Sequence, residues 1–225
     1  MNTTNHGGPD AHLVDALTAG DPSARLRAAL AAGTRPDPRL IDALVDRCAV
    51  EPDFFVREML TWALCRLPTE TTVARLVREL GYDTTQARSQ SLHTLSKIGD
   101  RRAWPAVSTL LHHEDEEVAR SAWRAAVALV PPGEEAALAA DLAAELGRGD
   151  QPMQLSLSRA LMALGDAVLP VLDAAATSPD PAIRAHADAT QQLCADPDSG
   201  FTPSLEMAKR VAAAGPDTQQ ETLEC

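Results

Sequence analysis

No apolar run in this chain approaches the ~20 residues that a membrane-spanning helix needs, so no membrane span is expected. Residues 1–9 are polar and contain glycine; without the basic segment and apolar stretch of a secretion signal, a cytoplasmic location is the expectation. Cysteine is scarce and scattered. Cys48, Cys65, Cys194 and Cys225 form no Cys-x-x-Cys pair, which argues against a zinc site or a disulfide framework. They read as reduced thiols, mostly buried. Lysine is nearly missing, since Lys97 and Lys209 are the only two, so almost all positive charge is arginine, suited to planar and bidentate contacts. A coding bias toward Arg and Ala would give the same composition. The net charge of −12 disfavours non-specific nucleic-acid binding, which needs a positive field. That charge is uneven: residues 53–124 hold ten basic and ten acidic side chains, whereas residues 125–225 hold five and fifteen. There is no Gly-x-x-x-x-Gly-Lys phosphate loop, no Gly-x-Ser-x-Gly elbow and no nucleophile-base arrangement. No catalytic residue, cofactor or metal site is therefore assigned.

What the chain does have is repetition. A pattern of roughly Asp-x-x-apolar-Arg-x-x-small-x-x-Ala-Leu recurs six times. Its apolar slot falls at Ala24, Val56, Ala87, Val118, Met153 and Ile183, at intervals of 32, 31, 31, 35 and 30 residues. A period near thirty filled by paired helical patterns marks an α-solenoid. The expected fold is all-α, a right-handed α-α superhelix of about six helical hairpins. At 45% hydrophobic residues the chain can bury a core, and each hairpin needs its neighbours to cover its apolar face.

Each second helix is expected to start at Asp21, Asp53, Thr84, Asp115, Asp150 or Asp180, where a side-chain oxygen can accept an orphan backbone N–H. Seven residues on stand Ala28, Leu60, Ser91, Ala122, Leu157 and Ala187. Ten residues on stand Ala31, Ala63, Thr94, Ala125, Ala160 and Thr190, small enough for close helix approach. These offsets keep one face of a 3.6-residue helix. First helices are placed near 10–19, 38–49, 71–80, 101–112, 134–146 and 167–176. The domain expectation is a disordered segment over 1–9, a repeat domain over 10–200, a capping helix over 201–214 and a disordered tail over 215–225.

The strings Ile98-Gly99-Asp100, Leu164-Gly165-Asp166 and Asp180-Pro181-Ala182-Ile183-Arg184 resemble HEAT repeats, in the short form associated with phycobilin lyases, over about residues 10–195. The resemblance implies fold far more than function, because that superfamily includes scaffolds, chaperones, lyases and some DNA-repair enzymes. It also implies that the repeated arginine (Arg25, Arg57, Arg88, Arg184) pairs with an Asp of an adjacent turn, such as Asp100 or Asp166. HEAT-like alkylpurine DNA glycosylases place a catalytic Asp four residues after a Trp. Here those positions hold Arg66, Ser108 and Val127. Deoxyhypusine hydroxylase needs several His-Glu pairs, and only His113-Glu114 is present. The run His112-His113-Glu114-Asp115-Glu116-Glu117 reads as a solvated acidic turn leading into a helix.

In solenoids of this type the second helices line the groove. Columns five, eight and nine residues after the cap carry Glu58, Trp62, Ser89, His93, Arg120, Trp123, Arg124 and Arg159. Trp with Arg is the composition of an interaction hot spot; the competing reading makes Trp62 and Trp123 fillers between repeats. The function expected is a non-catalytic scaffold or adaptor that binds a protein or peptide partner in this groove. The alternative is a HEAT-like enzyme or small-ligand protein using the same groove, of glycosylase-like or lyase-like kind.

Overall fold

A computed structural model describes residues 10–196. The expectations for 1–9, 201–214, 215–225 and Cys225 lie outside those residues. Within them the chain forms twelve α-helices and no strand. First helices are α1 (Ala11–Leu17), α3 (Ile41–Val50), α5 (Thr69–Glu79), α7 (Trp104–Ser108), α9 (Glu135–Ala143) and α11 (Leu169–Ala175). Second helices are α2 (Pro22–Thr34), α4 (Phe54–Leu64), α6 (Thr85–Ile98), α8 (Glu116–Leu129), α10 (Gln151–Met162) and α12 (Pro181–Ala195). Short 3₁₀ turns lead into α3, α7 and α11. The chain is thus all-α, hairpin following hairpin as an α-solenoid. Two compact units hold these residues, 10–132 with four hairpins and 133–196 with two; the boundary falls at Pro131-Pro132-Gly133.

The repeat residues build the elements as their chemistry dictates. Asp21, Asp53, Asp115, Asp150 and Asp180 each accept a backbone N–H from the first turn of the helix they precede. Thr84 departs: it holds the extended cap conformation, but its side chain makes no cap bond. At the other end of α6, Gly99 takes φ 74°, a left-handed conformation open to glycine without strain, and its N–H returns to Leu95 O. The small and apolar offsets face inward, with Leu60, Ala63, Ala122, Ala125, Leu157 and Ala160 all buried. The first copy departs at the offset of ten, where Ala31 is half-buried.

The repeated arginine meets the partner the resemblance implied in one copy, where Arg88 pairs with Asp83 of the adjacent turn at 3.2 Å, and not with Asp100. It folds back on its own repeat and ties the carbonyls of the turn before its helix. Arg25 donates to Ala19 O and Gly20 O, Arg57 to Glu51 O and Pro52 O, and Arg184 to Ser178 O and Pro179 O. Where Gln154 takes the slot, its amide reaches Gly147 O and Gly149 O in the same way. Arg88 keeps one such bond, to Leu80 O. Asp100 pairs instead with Arg102, its neighbour in the same turn. The cause is reach: five donors in a planar fork suit two convergent carbonyls left open by a tight turn.

Charge is buried in two places of the first unit, at the Arg75–Glu79 pair of α5 and around Glu51. The Glu51 carboxylate receives Arg25 Nε and Nη2 and Arg47 Nε, each at 2.7 Å, and the Asp53 N–H at 2.9 Å. Burial pushes the carboxyl up, but these donors outweigh it and hold Glu51 down at about 2. The thiols are less uniform than expected. Cys48 is buried, and desolvation pushes it up to about 12, but Cys65 at the end of α4 is exposed and Cys194 half-buried. Among the described residues no helix is long and apolar enough to cross a membrane.

Candidate functional site

The second helices of the first unit do not pack evenly. The backbones of α2 and α4 lie close, as do those of α6 and α8, whereas α6 leans on α3 and α5 and meets α4 mainly through side chains. Thr61 Oγ1 lies 3.3 Å from Thr94 Oγ1, and Gln90 Nε2 donates to Thr61 Oγ1 at 3.1 Å. Gln86 spans from α6 to the end of α3, donating to Cys48 O and Glu51 O. A polar side-chain layer of this kind holds two helices apart where alanines would let them close.

The result is a cleft of about 480 Å³ across α4, α6 and α8. Phe54, Arg57 and Glu58 form one wall, Glu117, Ser121 and Arg124 the other, and Thr85, Gln86, Ser89, Gln90 and His93 the floor. Phe54 stands 58% exposed at the rim beside Phe55, their rings edge to face at 5.6 Å. Such a pair of uncovered rings can shed water against an apolar partner group.

Four of the eight residues singled out in the sequence come together here: Glu58, Ser89, His93 and Arg124. Ser89 Oγ donates to Thr85 O, and Arg124 donates to Arg120 O and Ser121 Oγ. His93 Nε2 lies 3.3 Å from Glu58 Oε1, yet it is buried without a hydrogen bond. Burial pushes this imidazole down, Glu58 pushes it up, and Lys97 and Arg124 push it down again; the net direction is downward. The uncharged imidazole is thus the favoured form of His93.

The other four do not join the cleft. Trp123 is 0% exposed, and its indole N–H donates to Leu111 O at 2.8 Å. It is a core residue, which corrects the expectation of an exposed groove anchor. The reason is its angle: offset eight from the cap faces inward, and Thr61 and Ser158 at the same offset are buried too. Trp62 is 37% exposed but leans the other way. It lies over Gly33 of α2, where a Cβ would come within 2.1 Å of the ring, and Arg66 sits 5.2 Å from its centroid. Arg120 pairs with Glu117 at 2.5 Å, its Nε buried without an acceptor. Arg159 is exposed on α10 in the second unit.

Sequence reasoning missed Phe54, Arg57, Thr85, Gln86, Gln90, Glu117 and Ser121. The last four stand two and six residues after their caps. At about 100° per residue, offsets two, five, six and nine share one arc about 100° wide, and offset eight lies outside it. That angular bookkeeping was available in the sequence.

Two further clusters have no site geometry. His113 is part of a helix cap, its Nδ1 accepting the Asp115 N–H at 3.0 Å, in keeping with an acidic turn. In the second unit Ser158 Oγ lies 3.0 Å from His186 Nε2, a spacing that invites a nucleophile-base reading. Both are fully buried, and His186 Nδ1 accepts the Gly147 N–H, so the pair bridges the α9–α10 turn to α12. Among the described residues no group of three or more His, Cys, Asp or Glu side chains could hold a metal ion.

Residues 11–91 match the family of HEAT repeats. The HEAT resemblance holds there, over α1 to α5 and the first half of α6, which includes the α4 wall and most of the floor of the cleft. No curated protein matches the chain. Among solved structures the chain is similar to an engineered protein, 20% identical over 81% of this chain and 97% of that one, with a TM-score of 0.44. It is also similar to a designed armadillo repeat protein, 15% identical over 81% and 98%, with a TM-score of 0.40.

Proposed function

We propose that the chain is a binding scaffold whose cleft across α4, α6 and α8 takes a peptide or a segment of a protein partner and performs no chemistry on it. The observation that carries this reading is the cleft itself, walled by consecutive second helices and lined by charged and amide side chains. Stacked repeats create extended surfaces of this kind, and binding along them is their common use. Exposed Phe54 and Phe55 at the rim supply apolar area next to polar contacts, the mixture found in protein interfaces. The net charge of −12 weighs against a nucleic-acid ligand. Glu58, Ser89, His93 and Arg124 are the contact residues in this reading.

The test is capture from native cell extract on the immobilised chain, compared with Arg124→Glu in the cleft and Arg27→Glu on exposed α2. The expected result is a partner that survives Arg27→Glu and is lost with Arg124→Glu. Equal capture by all three chains would remove the cleft from the function. Retention of the chain on a DNA column at low salt would favour nucleic acid instead.

A further inference from the structure

We infer that Arg57 receives a carboxylate of the partner, so that the cleft selects a peptide carrying an acidic side chain beside an apolar one. This rests on the peptide-binding reading above and adds the chemistry of the ligand.

The first repeat shows what this arginine can hold. Arg25 donates from Nη1 to Ala19 O and Gly20 O at 2.9 Å, and its other edge, Nε with Nη2, meets both oxygens of Glu51 at 2.7 Å. A guanidinium fork on a carboxylate is among the strongest of charged hydrogen-bond pairs. Arg57 reproduces half of this arrangement. Its Nη1 donates to Glu51 O and Pro52 O at 2.9 Å, and among the described residues nothing accepts from its Nε or Nη2. The sequence supplies the reason. Glu51 stands two residues before the cap Asp53, whereas Tyr82 stands two residues before the cap Thr84. The adjoining Asp83 is taken by Arg88 at 3.2 Å. Arg184 also holds carbonyls alone, but of the two it is Arg57 that lines the cleft.

Gln86 Nε2 shares the acceptor Glu51 O with Arg57, which fixes the guanidinium where the α4 wall meets the α6 floor. The other charges of the cleft leave it a place for an anion. Glu117 is paired with Arg120 at 2.5 Å, and Glu58 lies 3.3 Å from His93 Nε2. Across the cleft Arg124 donates only to Arg120 O and Ser121 Oγ. Arg57 and Arg124 therefore outnumber the carboxylates left unpaired, whichever form His93 takes. Residues 53–124 supply the whole lining and hold ten basic and ten acidic side chains, so the net charge of −12 lies elsewhere in the chain. Phe54 stands 58% exposed three residues before Arg57, and side chains so spaced on a helix start about 5–6 Å apart. An extended peptide advances about 3.3 Å per residue. An apolar group on Phe54 and a carboxylate on Arg57 thus come from residues one or two positions apart.

A displayed random-peptide library panned on the full chain supplies the probe. The best peptide, and its copy with the acidic residue changed to the amide, are then measured by fluorescence anisotropy. Arg57→Gln removes the charge and the fork but keeps the tie to the turn, since Gln154 fills this slot in the fifth repeat and reaches the same kind of carbonyls. Tyr82→Glu, at an exposed position, restores the counterpart of Glu51 and fills the fork from within. Thermal melting of each variant reports its fold. The wild-type chain is expected to enrich peptides with Asp or Glu one or two residues from an apolar residue, and to bind the amide copy roughly tenfold more weakly. Arg57→Gln and Tyr82→Glu are expected to bind both peptides alike, at the weaker level. An acid preference that survives in folded Arg57→Gln, or in Tyr82→Glu where Arg57→Gln does not fold, overturns this inference. Peptides enriched without an acidic residue also overturn it, and both outcomes leave the binding reading standing. No enrichment at all overturns both.

Discussion

Trp123 and Arg124 are neighbours in the chain and opposites in the structure. One residue on a helix is about 100° of rotation, enough to carry Trp123 into the core while Arg124 faces the cleft. Trp123→Ala is expected to cost roughly 3–5 kcal/mol, as for other large buried aromatics. Its melting temperature should fall sharply, and a variant that melts like the wild-type chain would contradict the burial. Arg124→Glu should leave melting almost unchanged, because the side chain is exposed and makes surface contacts only. At Gly33 the constraint is the Trp62 ring lying directly on the Cα. Gly33→Ala must displace that ring from α2, and a red shift in tryptophan emission checks it. The sequence could mark Trp62 and Trp123 as large side chains off the apolar stripe. It could not say which leaned on a neighbour, since that depends on helices supplied by other repeats.

At the scale of the helix, the repeat divides labour by position. The cap aspartates end the turn, the arginine four residues on closes it from behind, and the small residue ten on sets how near the next helix lies. Replacing Arg57 by Ala leaves Pro52 O without its donor and Glu51 O with Gln86 alone, and a loss of about 1–3 kcal/mol is expected from urea melts. Ala125 is wholly buried on α8, so Ala125→Leu should overpack and cost roughly 1–3 kcal/mol. Most of these elements were legible beforehand, because caps, spacing and turn glycines act within one turn of chain. The first helices near 38–49 and 71–80 appear as α3 and α5, within a few residues at each end. The span near 101–112 is shorter, with α7 only five residues long. The arginine pairs with an Asp of the adjacent turn only as Arg88 with Asp83, because sequence spacing shows which carboxylates are near in the chain, not which carbonyls a turn leaves open.

For the molecule, acid separates the two units. Burial pushes His186 down to about 4, with Gln154 O opposing, and the neutral ring accepts the Gly147 N–H. Its folded value lies below its unfolded one, so its stabilisation is whole above about pH 6.5 and fades as pH falls through 4, amounting to about 3 kcal/mol. Glu51 in the first unit acts in a lower window, contributing above about pH 4.5 and losing its contribution as pH falls toward 2. Hydrogen exchange at pH 4.5 against pH 7 should show protection lost first within 133–196, and His186→Gln should flatten that difference. Loss appearing first in 10–132 would contradict it. What the sequence alone determined was the repeat: its period, its caps and the inward stripe, all products of local rotation and local hydrogen bonding. Which helices close up and which stand apart was decided only by the tertiary structure. The cleft lies where Thr61 of α4 meets Gln90 and Thr94 of α6 and Gln86 reaches the end of α3, contacts between repeats that no single repeat contains.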